Sequence, residues 1–299
     1  MNPLQWLLML QFMFFLSRFF LSADTIRQHH FIKDNDEMMI SSGKIFALGF
    51  FGPENSRNRY VGIGYHQIPD KKSPDDPGLG NYSLKMNPNG SPQMFLYKGS
   101  TPWWRSDPWT GQRWSGIPTM TNKFILNMYF VDSDDEVLYS SSVKNASHIV
   151  RRVTNETGII EGLIWNHEDQ RWIAFYSHPN EKCDFYGHCG PNAYCNPYLT
   201  DDFECTCFPG FEPKSPEAWL IRDGAGGCVK KPSISMCGNG EGFIKFRHMK
   251  VPDTSAAHVD TSIGLKQCKE KYLRDCSCMA YASAYSETNR GGWLLDMAR

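Results

Sequence analysis

No cysteine stands before Cys183 in this 299-residue chain, and all ten fall between Cys183 and Cys278. The long amino-terminal part therefore holds itself together by burial alone. No long run of one charge sign exists either, and 31 basic residues face 32 acidic ones for a net charge of -1. That balance argues against nucleic acid or another polyanion as a partner. Also missing is an uninterrupted apolar stretch of the roughly 18 to 20 residues that a membrane-spanning helix needs. Catalytic signatures are absent: there is no Gly-x-Ser-x-Gly, no His-Glu-x-x-His, no glycine loop ending in Gly-Lys-Ser/Thr, and no His-Arg-Asp or Asp-Phe-Gly of a protein kinase. The nine histidines are scattered. The expectation is a chain with no catalytic residue, no cofactor and no metal.

What is present points outside the cell. Residues 1–23 read as a secretory signal peptide: Leu4 to Ala23 is short and apolar, Arg18 interrupts it, and Leu21-Ser22-Ala23 suits cleavage before Asp24. A dense set of cysteines is kept as bridges only outside the reducing cytosol. Four sequons, at Asn81, Asn89, Asn145 and Asn155, fit an exported surface, Asn89 least because Pro92 follows its Ser91. The expected location is secreted or extracellular. Aromatic residues make up 14% of the chain, with nine tryptophans, so it is built to pack.

Along the chain, apolar and polar residues alternate around glycines from Asp24 to Ile68, as in Gly43-Lys-Ile-Phe-Ala-Leu-Gly-Phe-Phe-Gly52 and Arg59-Tyr-Val-Gly-Ile-Gly-Tyr65. These are strands joined by turns. Strand-like stretches recur at 91–97, 123–131, 136–140, 147–153, 158–165 and 171–176, which predicts an antiparallel sheet domain. The aromatic run Pro102-Trp-Trp-Arg-Ser-Asp-Pro-Trp-Thr-Gly-Gln-Arg-Trp-Ser-Gly116 could stack on a sugar with help from Arg105 and Arg113, but core and interdomain packing is favoured. Asp132-Ser-Asp-Asp-Glu136 lacks the glycine and distal glutamate of a calcium loop and reads as a solvated turn. His188 beside Cys189 raises zinc, but the Cys-x2-Cys spacing of such sites is absent. Near the end, Ile263, Leu265, Tyr272 and Leu273 among charged residues predict an amphipathic helix over 262–274.

Several segments resemble one plant family. Ile40 to Pro69 resembles the opening of the bulb-type (G-type) lectin domain of S-locus glycoproteins and S-receptor-like kinases. The resemblance implies a β-prism of which residues 24–68 supply only the first strands. Lys71-Lys-Ser-Pro-Asp-Asp-Pro-Gly78 already resembles the stretch beyond the lectin domain, and the family's mannose pattern, Gln-x-Asp-x-Asn-x-Val-x-Tyr, occurs nowhere. The Trp-rich run resembles the signature of the S-locus glycoprotein domain, here 76–178, with Asp107 where the family usually has glycine. Cys183-x5-Cys189-x5-Cys195-x9-Cys205-x-Cys207-x20-Cys228, with Tyr194 and Gly210-Phe211, resembles an EGF-like module at 179–228. That resemblance implies the pairs Cys183 to Cys195, Cys189 to Cys205 and Cys207 to Cys228. Residues 237–299 resemble a PAN/apple domain of α+β type. Tyr272 stands where relatives have a cysteine, and Trp293-Leu-Leu-Asp296 follows Gly291-Gly292 where another is expected. Cys237, Cys268, Cys276 and Cys278 thus lack part of their expected partners.

The resemblance implies a mainly β, multidomain protein that recognises an extracellular peptide, protein or glycan, by analogy in pollen recognition, self-incompatibility or defence signalling. A homodimer or an association with a receptor-like kinase is the implied assembly. The alternative is a fragment of a membrane receptor-like serine/threonine kinase whose transmembrane and kinase parts are missing here, which would belong at the plasma membrane.

Overall fold

The computed structural model describes residues 31–34, 37–51, 59–66, 68, 80–117, 120, 125–133, 135–199, 202–232, 243–246, 249–273, 280–283 and 290–295. The predicted leader at 1–23, the join at 71–78 and Cys237, Cys276 and Cys278 lie outside them. The chain divides into two compact units, residues 1–79 and 80–299.

The first unit is one antiparallel sheet of β1 (Met39–Ile40), β2 (Phe46–Phe51) and β3 (Tyr60–Tyr65) in that order. Its register pairs Phe46 with Tyr65, Leu48 with Ile63 and Phe50 with Val61. Side chains alternate across a strand, so these six share one face. Phe46, Val61 and Ile63 on that face are 45%, 67% and 72% exposed, while Ala47 on the opposite face is buried. Among the described residues the apolar face of this small sheet stays open to water.

The second unit begins with a sheet of β4 (Tyr82–Asn87), β5 (Gln93–Lys98) and β6 (Thr101–Arg105). Gln93 to Leu96 are buried in succession, as expected of a central strand covered on both faces. A hairpin of β7 (Leu126–Asp132) and β8 (Val137–Val143) follows. In the acidic run that joins them, Asp132, Ser133, Asp135 and Glu136 are exposed, and the Ser133 N–H donates to the Glu136 carbonyl at 3.0 Å. A third sheet takes the order β11 (Arg171–His178), β10 (Ile160–Asn166), β9 (Val150–Thr154).

Beyond it lie two short ladders, β12 (Ala193–Cys195) with β13 (Cys205–Cys207) and β14 (Phe211–Pro213) with β15 (Cys228–Lys230). The helix α1 (Pro216–Leu220) lies between the strands of the second ladder, capped by Ser215, whose hydroxyl accepts from the Ala218 N–H. The last part is a sheet of order β16 (His258–Gly264), β18 (Arg290–Leu295), β17 (Ala280–Ser283), with helix α2 (Leu265–Tyr272). This helix is shorter than the predicted 262–274 because Ser262 and Ile263 pair into β16. The described residues of 243–257 form no strand, and β16 runs directly into α2.

The main core gathers Met94, Leu96, Trp104, Trp114, Ile117 and Ile160 from the first and third sheets and the Trp-rich loop. Each buried tryptophan removes on the order of 200 Å² from water, an upper estimate of about 5 kcal/mol at about 25 cal/mol/Å². The tryptophans, rather than bridges, thus anchor the cysteine-free region.

Candidate ligand-binding site

The Trp-rich run is committed to packing. Trp104 and Trp114 are 1% and 0% exposed. Trp109 meets Trp114 edge-on at 5.2 Å and stacks on Phe130 at 5.4 Å. Trp103 packs edge-on against Phe185 at 5.0 Å, and its carbonyl accepts from the Tyr186 N–H at 2.9 Å. Trp103 therefore joins the sheet domain to the cysteine-rich module, while Trp109 and Trp114 pack within the sheet domain against Phe130 and Tyr139.

Beside them sits a buried cluster of charge. Arg105 Nη1 lies 2.5 Å from Asp107 Oδ1, and Lys250 Nζ is 3.8 Å from the same oxygen. Asp107 is 1% exposed and has φ +59. This is the left-handed region, which glycine enters freely and aspartate tolerates better than most residues. The backbone thus accounts for a usual glycine here, and the charge accounts for the aspartate. Burial pushes the Asp107 carboxyl up, with Arg105 and Lys250 pulling it back.

Arg105 also reaches the Gln93 side-chain carbonyl at 3.4 Å and the Val251 main-chain carbonyl. Lys250 to Ser255 runs as a strap across the sheet domain. Gln93 Nε2 donates to Asp253 Oδ1 at 3.0 Å and Thr254 Oγ1 at 3.1 Å, Thr254 donates to the Ser91 carbonyl, and Lys250 Nζ donates to the Arg105 carbonyl. Tyr186 donates to Asp253 at 2.7 Å, and burial followed by this bond pushes its phenol up to about 12. Gly90, at φ +65, makes the close approach feasible: a Cβ there would stand 1.7 Å from the Thr254 carbonyl oxygen. The strap satisfies the polar groups of a fully buried glutamine, which would otherwise be costly.

A cavity of about 150 Å³ is lined by residues of the β4–β6, β7–β8 and β9–β11 sheets. Its apolar walls include Leu84, Met94, Trp104, Trp114 and Ile160, and two basic side chains, Arg152 and His178, also line it. Arg152 and Tyr176 both face Gly162 across the third sheet. A Cβ on Gly162 would stand 2.0 Å from the Tyr176 ring. The glycine therefore lets that ring fold over the strand toward Arg152. Arg152 Nε donates to the Tyr176 hydroxyl at 2.5 Å, Nη2 reaches the Tyr139 hydroxyl at 3.4 Å, and no carboxylate pairs with this guanidinium among the described residues. His178 is 5% exposed, stacks between Trp104 and Tyr176, and leaves both ring nitrogens without a hydrogen-bond partner. Burial lowers its pKa, so the ring is held neutral. Sequence reasoning singled out none of Tyr139, Arg152, Tyr176 or His178, because strands distant in sequence bring them together.

In the cysteine-rich module the structure holds three disulfides, Cys183–Cys195, Cys189–Cys205 and Cys207–Cys228, with sequence separations of 12, 16 and 21. Each loop is of a length for which the chain-entropy relation gives about 3 kcal/mol. His188 lies near Cys195 and Cys205, but both sulfurs are bridged and offer no thiolate to a metal. Its Nε2 instead meets Glu204 Oε1 at 2.8 Å, and Lys182 approaches the same oxygen at 3.3 Å. The His188 bond leads in holding the Glu204 carboxyl at about 2. Cys268, in α2, is free and buried against Phe243, Ile263 and Tyr281, and burial pushes its thiol up. Of the sequon asparagines, Asn81, Asn89 and Asn145 are exposed and Asn155 is half-buried.

The fold and the bridges define a modular, disulfide-bonded, mainly β protein of small antiparallel sheets, and no helix among the described residues is long and apolar enough to cross a membrane. Family comparison narrows this. Residues 104–215 match the S-locus glycoprotein domain and residues 237–295 the PAN-like domain. The chain is 46% identical over 257 residues to a G-type lectin S-receptor-like serine/threonine-protein kinase of Arabidopsis thaliana, covering 84% of this chain and 30% of the relative. An S-locus-specific glycoprotein of Brassica oleracea is 40% identical over 214 residues, which is 71% of this chain and 48% of the relative. A second Arabidopsis kinase of the G-type lectin class is 37% identical over 386 residues, 94% of this chain and 46% of the relative. That span exceeds the chain's own 299 residues, so the relative holds residues inside the matched region that this chain lacks. The chain spans less than half the length of each of these relatives. It carries an S-locus glycoprotein domain and a PAN-like domain, and its homologues are G-type lectin S-receptor-like kinases and S-locus-specific glycoproteins.

Proposed function

We propose that this chain is an extracellular recognition protein of the S-locus glycoprotein type, which binds a peptide, protein or glycan and catalyses nothing itself. The observation that carries this reading is the joining of the S-locus glycoprotein domain to the start of the PAN-like domain by the Lys250–Ser255 strap. Two modules fixed to one another present one composite surface, as a receptor for a macromolecule requires. Residues 1–23 act as its export signal, residues 24–68 are what remains of a lectin domain, and the mature protein is secreted. By analogy with the S-locus glycoprotein family, the role is recognition of pollen, self-incompatibility or defence signalling. A homodimer, or a complex with a receptor-like kinase, is the assembly through which binding acts.

The test is to express the whole chain in plant cells, recover it from the medium, and measure its binding to secreted cysteine-rich peptides and receptor-kinase ectodomains by surface plasmon resonance. Secretion with saturable binding to a member of either set supports the reading. Retention of the intact leader in cell membranes, or secretion with no binding to any of them, overturns it. The residues missing relative to the second kinase favour one other reading, a partial product of a receptor-kinase gene. Transcript sequence running past the codon for Arg299 into transmembrane and kinase exons would establish that alternative.

A further inference from the structure

We propose that the cavity between the β4–β6, β7–β8 and β9–β11 sheets is a binding site for a small aromatic carboxylic acid with a single ring. This goes beyond recognition of a macromolecule and stands or falls separately from it.

Size comes first. At about 150 Å³ the cavity matches those known to take up one benzene ring, and it is lined by Leu84, Met94, Ile160 and the indoles of Trp104 and Trp114. A flat ring fits against such walls by stacking or edge contacts. A dry core with the same lining would be wholly apolar, and this one is not.

Charge comes second. Arg152 lines the cavity with its guanidinium between the rings of Tyr139 and Tyr176, 5.5 and 6.0 Å from their centroids. Both tyrosine hydroxyls accept from it, yet no carboxylate neutralises it among the described residues. Arg152 is an exposed side chain at the rim of the cavity, so the tyrosines fix the direction of its fork while water solvates the donors that they leave over. A guanidinium has five N–H donors, and those left over suit the two oxygens of a carboxylate.

The third feature is His178. It is 5% exposed, lines the same cavity, and has a neutral ring with one donor and one acceptor and no partner for either. A buried polar group in that condition costs about 1 to 3 kcal/mol. A hydroxyl on the bound ring would relieve that cost.

The experiment uses the full secreted chain and isothermal titration calorimetry with phenylacetate, its three monohydroxy isomers, and benzyl alcohol as the uncharged comparison. Phenylacetate should bind in a saturable one-to-one manner and at least tenfold more tightly than benzyl alcohol. Arg152→Gln should remove that preference while leaving benzyl alcohol binding unchanged, which shows that the cavity survives. Arg152→Lys should restore part of it. Ile160→Phe, which fills the cavity, should abolish binding of every probe with the thermal transition retained. At least one hydroxylated isomer should bind more than threefold better than phenylacetate, and His178→Phe should erase that gain. No binding of phenylacetate at millimolar concentration, or equal binding of acid and alcohol, overturns the proposal. Binding of the acid that is indifferent to Arg152→Gln or to Ile160→Phe overturns the site.

Discussion

Replacing Asp107 by glycine sets two effects against each other. The backbone gains, because at φ +59 a side chain carries a cost of about 1 kcal/mol that glycine avoids. The charges lose. Arg105 is 8% exposed and would keep its bonds to Gln93 and Val251 without a counter-ion, and stranding one member of a buried pair costs about 3 to 5 kcal/mol. Lys250, 3.8 Å from the same carboxylate, adds to the loss. The net expectation is a destabilisation of about 2 to 4 kcal/mol, or a fall in Tm of roughly 5 to 15 °C for a unit of this size. Asp107→Asn removes the charge but keeps the shape and the tolerance of this backbone, so it should fall by a similar amount. The assay is thermal unfolding of the purified chain followed by tryptophan fluorescence, because Trp104 and Trp114 report on the adjoining core. If Asp107→Gly melts at or above the parent temperature, backbone strain outweighs charge at this position and the account is wrong.

Three further outcomes are expected. Gly90→Ala places a Cβ 1.7 Å from the Thr254 carbonyl at a positive φ, so the strap should detach at a cost of about 2 to 4 kcal/mol and limited proteolysis should cut within 250–255; an uncut strap would contradict this. Glu204, held at about 2 against an ordinary 4.5, contributes stability that is fully present above pH 4.5 and lost as the pH falls toward 2. Amide exchange in the cysteine-rich module should accelerate across that window, and Glu204→Gln should flatten the profile. Cys268, buried with its thiol pushed up, should resist alkylation in the native chain and react at once in denaturant; rapid native labelling, read by peptide mass, would refute its burial.

The mainly β architecture was legible where alternation was clean. The stretches at 126–132, 137–143, 150–154, 160–166 and 171–178 lie within a few residues of where periodicity placed them. β4 carries the same signal, with Tyr82, Leu84 and Met86 alternating with Ser83, Lys85 and Asn87, but the Pro- and Gly-rich stretch before it masks the pattern. β6 could not be read this way, because Thr101-Pro-Trp-Trp-Arg105 has no polar partner for each apolar residue. The site was harder still. Arg152, Tyr139 and Tyr176 come from three strands, and Gly162, which lets two of them meet, looks like any other strand glycine. The strap was illegible for the same reason, since Gln93 and its partner Thr254 are 161 residues apart. Local pattern reports which faces are apolar, whereas pairings over such distances are set by topology.

The span of the strap bears on how the protein is made. At roughly 5 to 20 residues per second, synthesis reaches Thr254 roughly ten to thirty seconds after Gln93 has left the ribosome. Until then the glutamine amide and the Arg105 guanidinium have no lasting partners from 250–255, and the cysteine-rich module must form its bridges in between. The S-locus glycoprotein domain is thus a waiting intermediate during synthesis, open to chaperones until its latch arrives. Truncations before Lys250 should therefore be caught by quality control inside the cell, even though every strand of that domain is present.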